Sequence, residues 1–372
     1  MTEPGRALNP LPFIAVAMAA MLIATWAGLV RLGWMWPVPQ PGWVLHHGPL
    51  MVCGFLGTVI GVERAVALGR RWTFLGPLFT ATGTALLLLG VPGAWGPMLI
   101  AAGSVHLLFV FAAIARIHAA PYTAVMAGGA LLWAVGNALW LSGRPVPYVV
   151  FWWAGFLVLT IAGERLELGR VLPTAPRIRL LLYAACAVFA LGLLVALAHH
   201  DAGVRIAGFG WLGIALWLLA FDVARRTVKT SGLTRFIAVC LIAGYVWLAI
   251  AGVLALVHGG ALAGFAYDAM LHAVFVGFVI SMIFGHAPVI FPAVTGRALP
   301  YSPWFYGHLA LLHVSLLVRT AGDLTGQLAL RKWGGLLNAV AILLFLALTL
   351  RGALAKRSLT GADARHSGSA TG

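Results

Sequence analysis

Charge is what this sequence has least of. Acidic and basic residues together make up 9% of its 372 residues, against 62% hydrophobic, and a soluble domain of that length has no way to hide so much apolar surface. Most of the chain must face lipid or other helices. Acids are the scarcer sign: nine Asp and Glu stand against 24 Lys and Arg, a formal net charge of +15. In a soluble protein that excess would point to nucleic acid. Here the bases fall between hydrophobic runs, where they orient a membrane protein, so no nucleic-acid partner is expected. Cysteine is rare as well. Cys53, Cys186 and Cys240 sit singly in apolar segments without CxxC spacing, which argues against a disulfide framework or a thiolate metal site and leaves three small core residues. With no CxxCH motif, any cytochrome c partner is a separate chain. The opening "MTEPGRALNPLPF" has one Arg before the first apolar run and no small-residue cleavage site, so the first span is expected to be retained.

What is present is apolar runs. A window of about twenty residues gives twelve spans, near 12–32, 44–68, 73–91, 95–117, 122–142, 147–167, 178–198, 204–221, 233–257, 266–294, 303–321 and 333–354. Their connections are short and rich in Gly and Pro ("WPVPQPG", "GVPGAW", "SGRPVP"). The expected fold is therefore an all-α integral membrane protein, one polytopic bundle over 1–355 with a disordered tail over 356–372. On this map 18 of the 24 bases fall on one side and 6 on the other, which predicts an inner (cell) membrane of bacterial type with both termini cytoplasmic.

That orientation gives each histidine a depth. In "VLHHGPLMVCGFLGTVIGVERAVAL" (44–68), His46 and His47 occupy the first turns of the second span. His272 occupies the second turn of the tenth, "YDAMLHAVFVGFVISMIFGHAPVIFPAV". Both spans enter from outside, so at about 1.5 Å of rise per residue the two sites share a level near the outer face. Two imidazoles at matched depth on neighbouring helices can clamp a haem iron from both faces. The alternative is interfacial histidines bonded to carbonyls or water.

"HGPLMVCGFLGTVIG", from His47, resembles the second transmembrane helix of the haem–copper oxidase superfamily, in which an HGxLM pattern supplies one axial ligand of the low-spin haem and the tenth helix supplies the other. It is more similar still to the NnrS family, membrane haem and copper proteins of the nitric oxide response. There a His-rich helix start is followed late in the chain by an LHAL segment, a GR turn and an LLR helix. Here these elements read "LHAVFVGFVISMIFGHAPVIFPAVTGR" (271–297) and "LLHVSLLVRTAGDL" (311–324). The similarity covers the second span and the last third of the chain. It implies a bundle like oxidase subunit I, with His47 and His272 as the axial pair of a b-type haem and His46 as the substitute for His47. It further implies copper as a second metal, nitric oxide or a related small gas as ligand, and chemistry of the oxidoreductase type fed by a cytochrome c or a quinol. Asp268, one turn before His272, would orient a histidine or approach a haem edge.

The departures bear on the rest. Respiratory oxidases carry His-x-His on the tenth helix, whereas Ala273 and Val274 follow His272, and 148–168 holds no histidine. A second haem in the oxidase position is not expected. "LAHHDAG", with His199 and His200, is similar to the paired metal-binding histidines after the seventh helix, but two ligands do not close a copper site. His286, near the face of His272 and just before Pro288 and Pro292, is expected to approach His308 at the inner surface, as proton carriers, metal ligands or a second haem site. Alternatively the two satisfy carbonyls freed by the kink. His106 and His313 fall mid-span, where an imidazole must face the bundle interior to serve copper, a proton path or a helix contact.

Glu63 and Arg64 end the second span, where an ion pair with a loop base is expected. Glu164 and Arg165 echo them ("GVERAVALGRR", "AGERLELGR"), a weak internal repeat. Repeat and bundle together leave a second reading, a transporter of a small solute or ion without haem, and a third, a regulatory or scaffold membrane protein without a cofactor.

Overall fold

In the computed structural model the backbone is described for residues 8–171, 175–295 and 299–366, and side chains for 8–170, 175–292 and 299–352. The tail expected from 356 lies outside the residues whose side chains are described. Among the described residues every regular element is helical. The twelve long helices are α1 (Leu11–Arg31), α2 (His47–Leu68), α3 (Leu75–Leu88), α4 (Trp95–Ile117), α5 (Pro121–Leu141), α6 (Val146–Leu168), α7 (Pro176–Ala196), α8 (His200–Phe221), α9 (Gly232–His258), α10 (Gly264–Pro292), α11 (Phe305–Thr325) and α12 (Leu328–His366).

Ten of these are long and apolar enough to cross a membrane, so the chain is a multi-pass helical membrane protein. The other two fall short for different reasons. α3 has 14 residues, and at about 1.5 Å each it is shorter than a hydrocarbon core of about 30 Å. α11 is long enough but carries His308, His313, Arg319 and Asp323, groups that need partners wherever they are withdrawn from water.

Sequential helices pack as hairpins, α5 on α6, α7 on α8, α8 on α9 and α11 on α12. In the most apolar stretch of α6, 78% of residues are buried, against 28% in α7. α6 is thus the enclosed helix, its Phe151, Trp152, Trp153 and Phe156 all in the core, while α7 turns Leu180, Leu181, Leu191 and Leu194 outward to lipid. The α7–α8 crossing is close because Gly192 and Gly203 face backbone atoms of the opposing helix with no room for a Cβ, the small-residue packing that membrane helices favour.

Among the described residues two segments inside the long helices depart from α geometry, and they match. Leu50–Gly57 in α2 and Ala273–Ile280 in α10 are each eight residues of π-helix. Each begins within one turn after a histidine, His47 or His272. Each carries Gly-Phe at its fifth and sixth residues, Gly54–Phe55 and Gly277–Phe278, and each is followed by a hydroxyl residue, Thr58 or Ser281. π-Helix is rare and concentrates at functional sites, because the extra residue per turn re-aims what precedes it.

Candidate functional site

His47 and His272 are held in the same manner. His47 Nδ1 lies 2.7 Å from the Ala24 carbonyl of α1, and His272 Nδ1 lies 2.9 Å from the Asp268 carbonyl one turn earlier in α10. A carbonyl oxygen only accepts, so each neutral ring carries its proton on Nδ1 and its lone pair on Nε2. The end of α1 that holds His47 reaches α12 at Gly335, which borders both Leu32 and the Arg319 guanidinium. At the far end, Thr58–Leu68 of α2 packs on Ser281–Thr295 of α10, so the two helices run parallel with their histidines at one end.

The His47 ring fits against Gly28 of α1, where a Cβ would stand 2.8 Å from its Cε1. Its neighbour points elsewhere: the His46 ring lies edge-on to Trp140 of α5, 6.3 Å between centroids. The adjacent imidazoles therefore diverge, and His46 is not brought to His272.

Around His272 is a charge network that sequence reasoning did not assemble. Arg319 of α11 donates to Asp268 from Nε at 3.0 Å and from Nη2 at 2.8 Å. Arg331 of α12 stands 3.4 Å from Asp268 and 2.8 Å from Asp323. Asp268 is thus a half-buried hub between two arginines and no ordinary surface acid. Arg319 Nη2 is also 3.3 Å from His272 Nδ1 and 3.2 Å from Nε2. A group equidistant from both ring nitrogens cannot lie in the ring plane without striking Cε1, so the guanidinium sits over the ring face. Arg319 therefore does not occupy the in-plane lone pair of Nε2. A signal for this network was present in the sequence: Arg319 and Arg331 are two of the six bases on the base-poor side, where a base needs a local reason to remain.

The remaining histidines separate. His313 is fully engaged: the Trp247 indole donates to its Nδ1 at 3.0 Å, its Nε2 faces Ser281 Oγ at 3.4 Å, and Ser281 donates to the Cys240 carbonyl at 2.8 Å. An indole only donates, so Nδ1 accepts and Nε2 carries the proton toward Ser281. His313 is therefore a helix contact between α9, α10 and α11, with no lone pair left for copper. His313→Phe strands the indole proton and is expected to cost about 1–3 kcal/mol, read as a lowered melting temperature in detergent.

His286 and His308 do not meet. His286 Nε2 faces Glu164 at 3.9 Å, whereas His308 is enclosed by Phe236, Phe284, Phe305 and Phe345, with neither ring nitrogen bonded. The two lie on different faces of the α10–α11 pair. His199 is exposed and His200 packs on Tyr148, 4.9 Å between centroids. Asp201 pairs with Arg205 at 2.9 Å, so that cluster does not converge on a metal. His106 lies edge-on to Trp72 with both nitrogens unbonded and borders a cavity of about 10 Å³, room for roughly one water. Among the described residues no three His, Cys, Asp or Glu side chains converge as a metal cage.

At the opposite end the two echoed motifs find each other. Arg64 is hydrogen-bonded to Glu164 and stands 3.5 Å from Glu63, so its partner is the second copy of the motif and no loop base. Arg165 pairs instead with Asp222 of the α8 end, through two hydrogen bonds of 2.9 and 3.1 Å. These pairs tie α2, α6 and α8 together. Arg64→Gln leaves two carboxylates beside each other without a cation; a loss of about 1.5–3 kcal/mol is expected, and adding Glu164→Gln should return part of it in the same melting assay.

Fold and buried charge together define the class, a multi-pass helical membrane protein with a polar cluster at each end of its bundle. The family model described as Domain of unknown function (DUF8744) matches residues 10–354, and the chain belongs to that family. No curated protein and no solved structure matches the chain.

Proposed function

We propose that the protein is a twelve-span membrane haem protein, with a b-type haem between His47 and His272, serving the response to nitric oxide or a related small gas. One arrangement supports the haem: each ring commits its Nδ1 proton to a backbone carbonyl and keeps its Nε2 lone pair in plane, on two helices that pack on each other along their far halves. Metal-ligating histidines are held in this way, the outer hydrogen bond fixing tautomer and orientation. The resemblance of 47–61 and 271–297 to NnrS and oxidase sequences supports the same reading and is the ground for the gas. Bound there, haem would supply a one-electron couple and an iron able to bind a diatomic gas.

The work of the chain is to hold the rings. Ala24 fixes the His47 tautomer from α1, and Asp268 keeps the Arg319 cation over the face of His272, away from its lone pair. His47 is held by the Ala24 carbonyl and seated against Gly28, while His272 is held by the Asp268 carbonyl and covered by Arg319. With both termini cytoplasmic in a bacterial-type inner membrane, this end faces outward, and a separate cytochrome c or a quinol would deliver electrons. Copper is left out of the proposal, since the candidate pairs His199 with His200 and His286 with His308 diverge.

The experiment is a nitric oxide titration of the dithionite-reduced protein followed by visible spectroscopy. A shifted Soret band, saturating at one gas molecule per chain, is expected. A haem spectrum unmoved by nitric oxide overturns the gas role and leaves electron transfer. A haem-free protein overturns both and favours the transporter, for which the observation to build on is the enclosed Glu63, Arg64, Glu164 and His286 cluster.

A further inference from the structure

On the base-rich side, the ends of α5, α6, α7 and α8 enclose a second polar place, a cavity of about 120 Å³. Its floor is the Arg165–Asp222 pair, each residue at most 4% exposed. Asp222 accepts two hydrogen bonds from Arg165 and a third, at 2.7 Å, from the Ala224 backbone N–H. The floor is therefore neutral and its carboxylate already satisfied. One wall is Trp217, whose indole proton is given to the Ile178 carbonyl at 2.6 Å; that wall offers an apolar face. At the rim stand Arg170 and Arg179, both exposed. Among the described residues neither has a carboxylate partner. The only side-chain contact of Arg170 within hydrogen-bond reach there is the Tyr122 hydroxyl at 3.5 Å. No other residue lining the cavity is charged, so it carries two uncompensated guanidinium charges above a neutral floor.

We propose that this cavity binds a phosphate ester, held by Arg170 and Arg179 with the Tyr122 hydroxyl as a further donor. Guanidinium forks match phosphate oxygens two at a time, and basic pockets between transmembrane helix ends on the base-rich side are where anionic head groups bind. The aromatic wall and the position at helix ends suit an ester whose remainder lies along the bundle. The same chemistry is offered by an anionic phospholipid or by a soluble phosphate monoester. The proposal is independent of the haem site proposed at the other end.

The test is thermal unfolding of delipidated protein in detergent, with dioleoyl phosphatidylglycerol, dioleoyl phosphatidylcholine or glycerol 3-phosphate added. It is run on the wild type, on Arg170→Gln/Arg179→Gln, and on the control Arg116→Gln/Arg177→Gln, which removes two bases from the same side outside the cavity. Phosphatidylglycerol is expected to raise the wild-type melting temperature more than phosphatidylcholine. The cavity variant should need about tenfold or more lipid for the same effect, and the control should behave as wild type. A response to glycerol 3-phosphate with the same variant dependence identifies a soluble ester as the occupant. Equal responses in all three proteins, or no response to any phosphate, overturn the proposal. If the double variant does not fold, counting bound phosphatidylglycerol on Arg179→Gln by native mass spectrometry decides the matter, one molecule fewer than wild type supporting the site and an equal count overturning it.

Discussion

His47→Ala and His272→Ala are each expected to abolish the b-type reduced-minus-oxidised spectrum of the purified protein, while His46→Ala leaves it near the wild-type level. The asymmetry between adjacent residues follows from where the rings go. His47 reaches the Ala24 carbonyl and the open face of Gly28, and His46 turns to Trp140. In the proposed site, removing either histidine would leave a haem iron with one protein ligand, and the remaining ring could not replace the lost one because the two stand on different helices. Gly28→Val should act in the same direction by a different route, since its side chain enters the space of the His47 ring; a weakened or shifted spectrum without loss of folding is the expected readout. If His46→Ala removes the spectrum and His47→Ala does not, the assignment of the second-span ligand is reversed.

The second large effect is on stability. Asp268→Asn removes the one acid shared by Arg319 and Arg331 and leaves two guanidinium groups facing an amide, with only Asp323 close to either. Breaking a buried ion pair from one side typically costs about 3–5 kcal/mol; here Arg319 loses its carboxylate partner, while Arg331 keeps Asp323 at 2.8 Å. A large drop in melting temperature is expected, together with loss of haem, because Arg319, now over the ring face of His272 at 3.2 Å from Nε2, is then free to move into the plane of the Nε2 lone pair. Asp268→Glu should recover part of the stability. Replacing Arg319 and Arg331 by Gln in the Asp268→Asn background should recover more of it than either alone, since the three charges form one network and their effects do not add.

The spans were legible because hydrophobicity is a local property: a run such as 147–167 announces α6 whatever surrounds it. α11 shows the limit. Its Arg319 and Asp323 lower its apolarity, and what makes them tolerable is Asp268 and Arg331 on two other helices, which no window over α11 contains. The same holds at the far end, where the echo of Glu63–Arg64 and Glu164–Arg165 was visible but its meaning, that one copy binds the other, required the fold. Neither π-helix could be read from composition, since i to i+5 geometry is set by what the helix packs against; the shared Gly-Phe was the only local trace. Helical phase also misled. His286 and His308 occupy the right ends of adjacent helices to meet, yet Phe236, Phe284, Phe305 and Phe345 enclose one and Glu164 faces the other, because depth follows from counting residues and direction does not. The divergence of His46 from His47 has the same origin: the chain leaves the short helix Gly42–Leu45 and re-enters helix at His47, so neighbours in sequence sit on different turns.

His47 and His272 are proposed to hold one haem iron between α2 and α10. The most direct measurement is the reduced-minus-oxidised visible spectrum of the wild-type protein purified in detergent, with haem quantified against protein. One b-type haem per chain is the predicted result. A colourless protein, after expression with haem supplied, would contradict it.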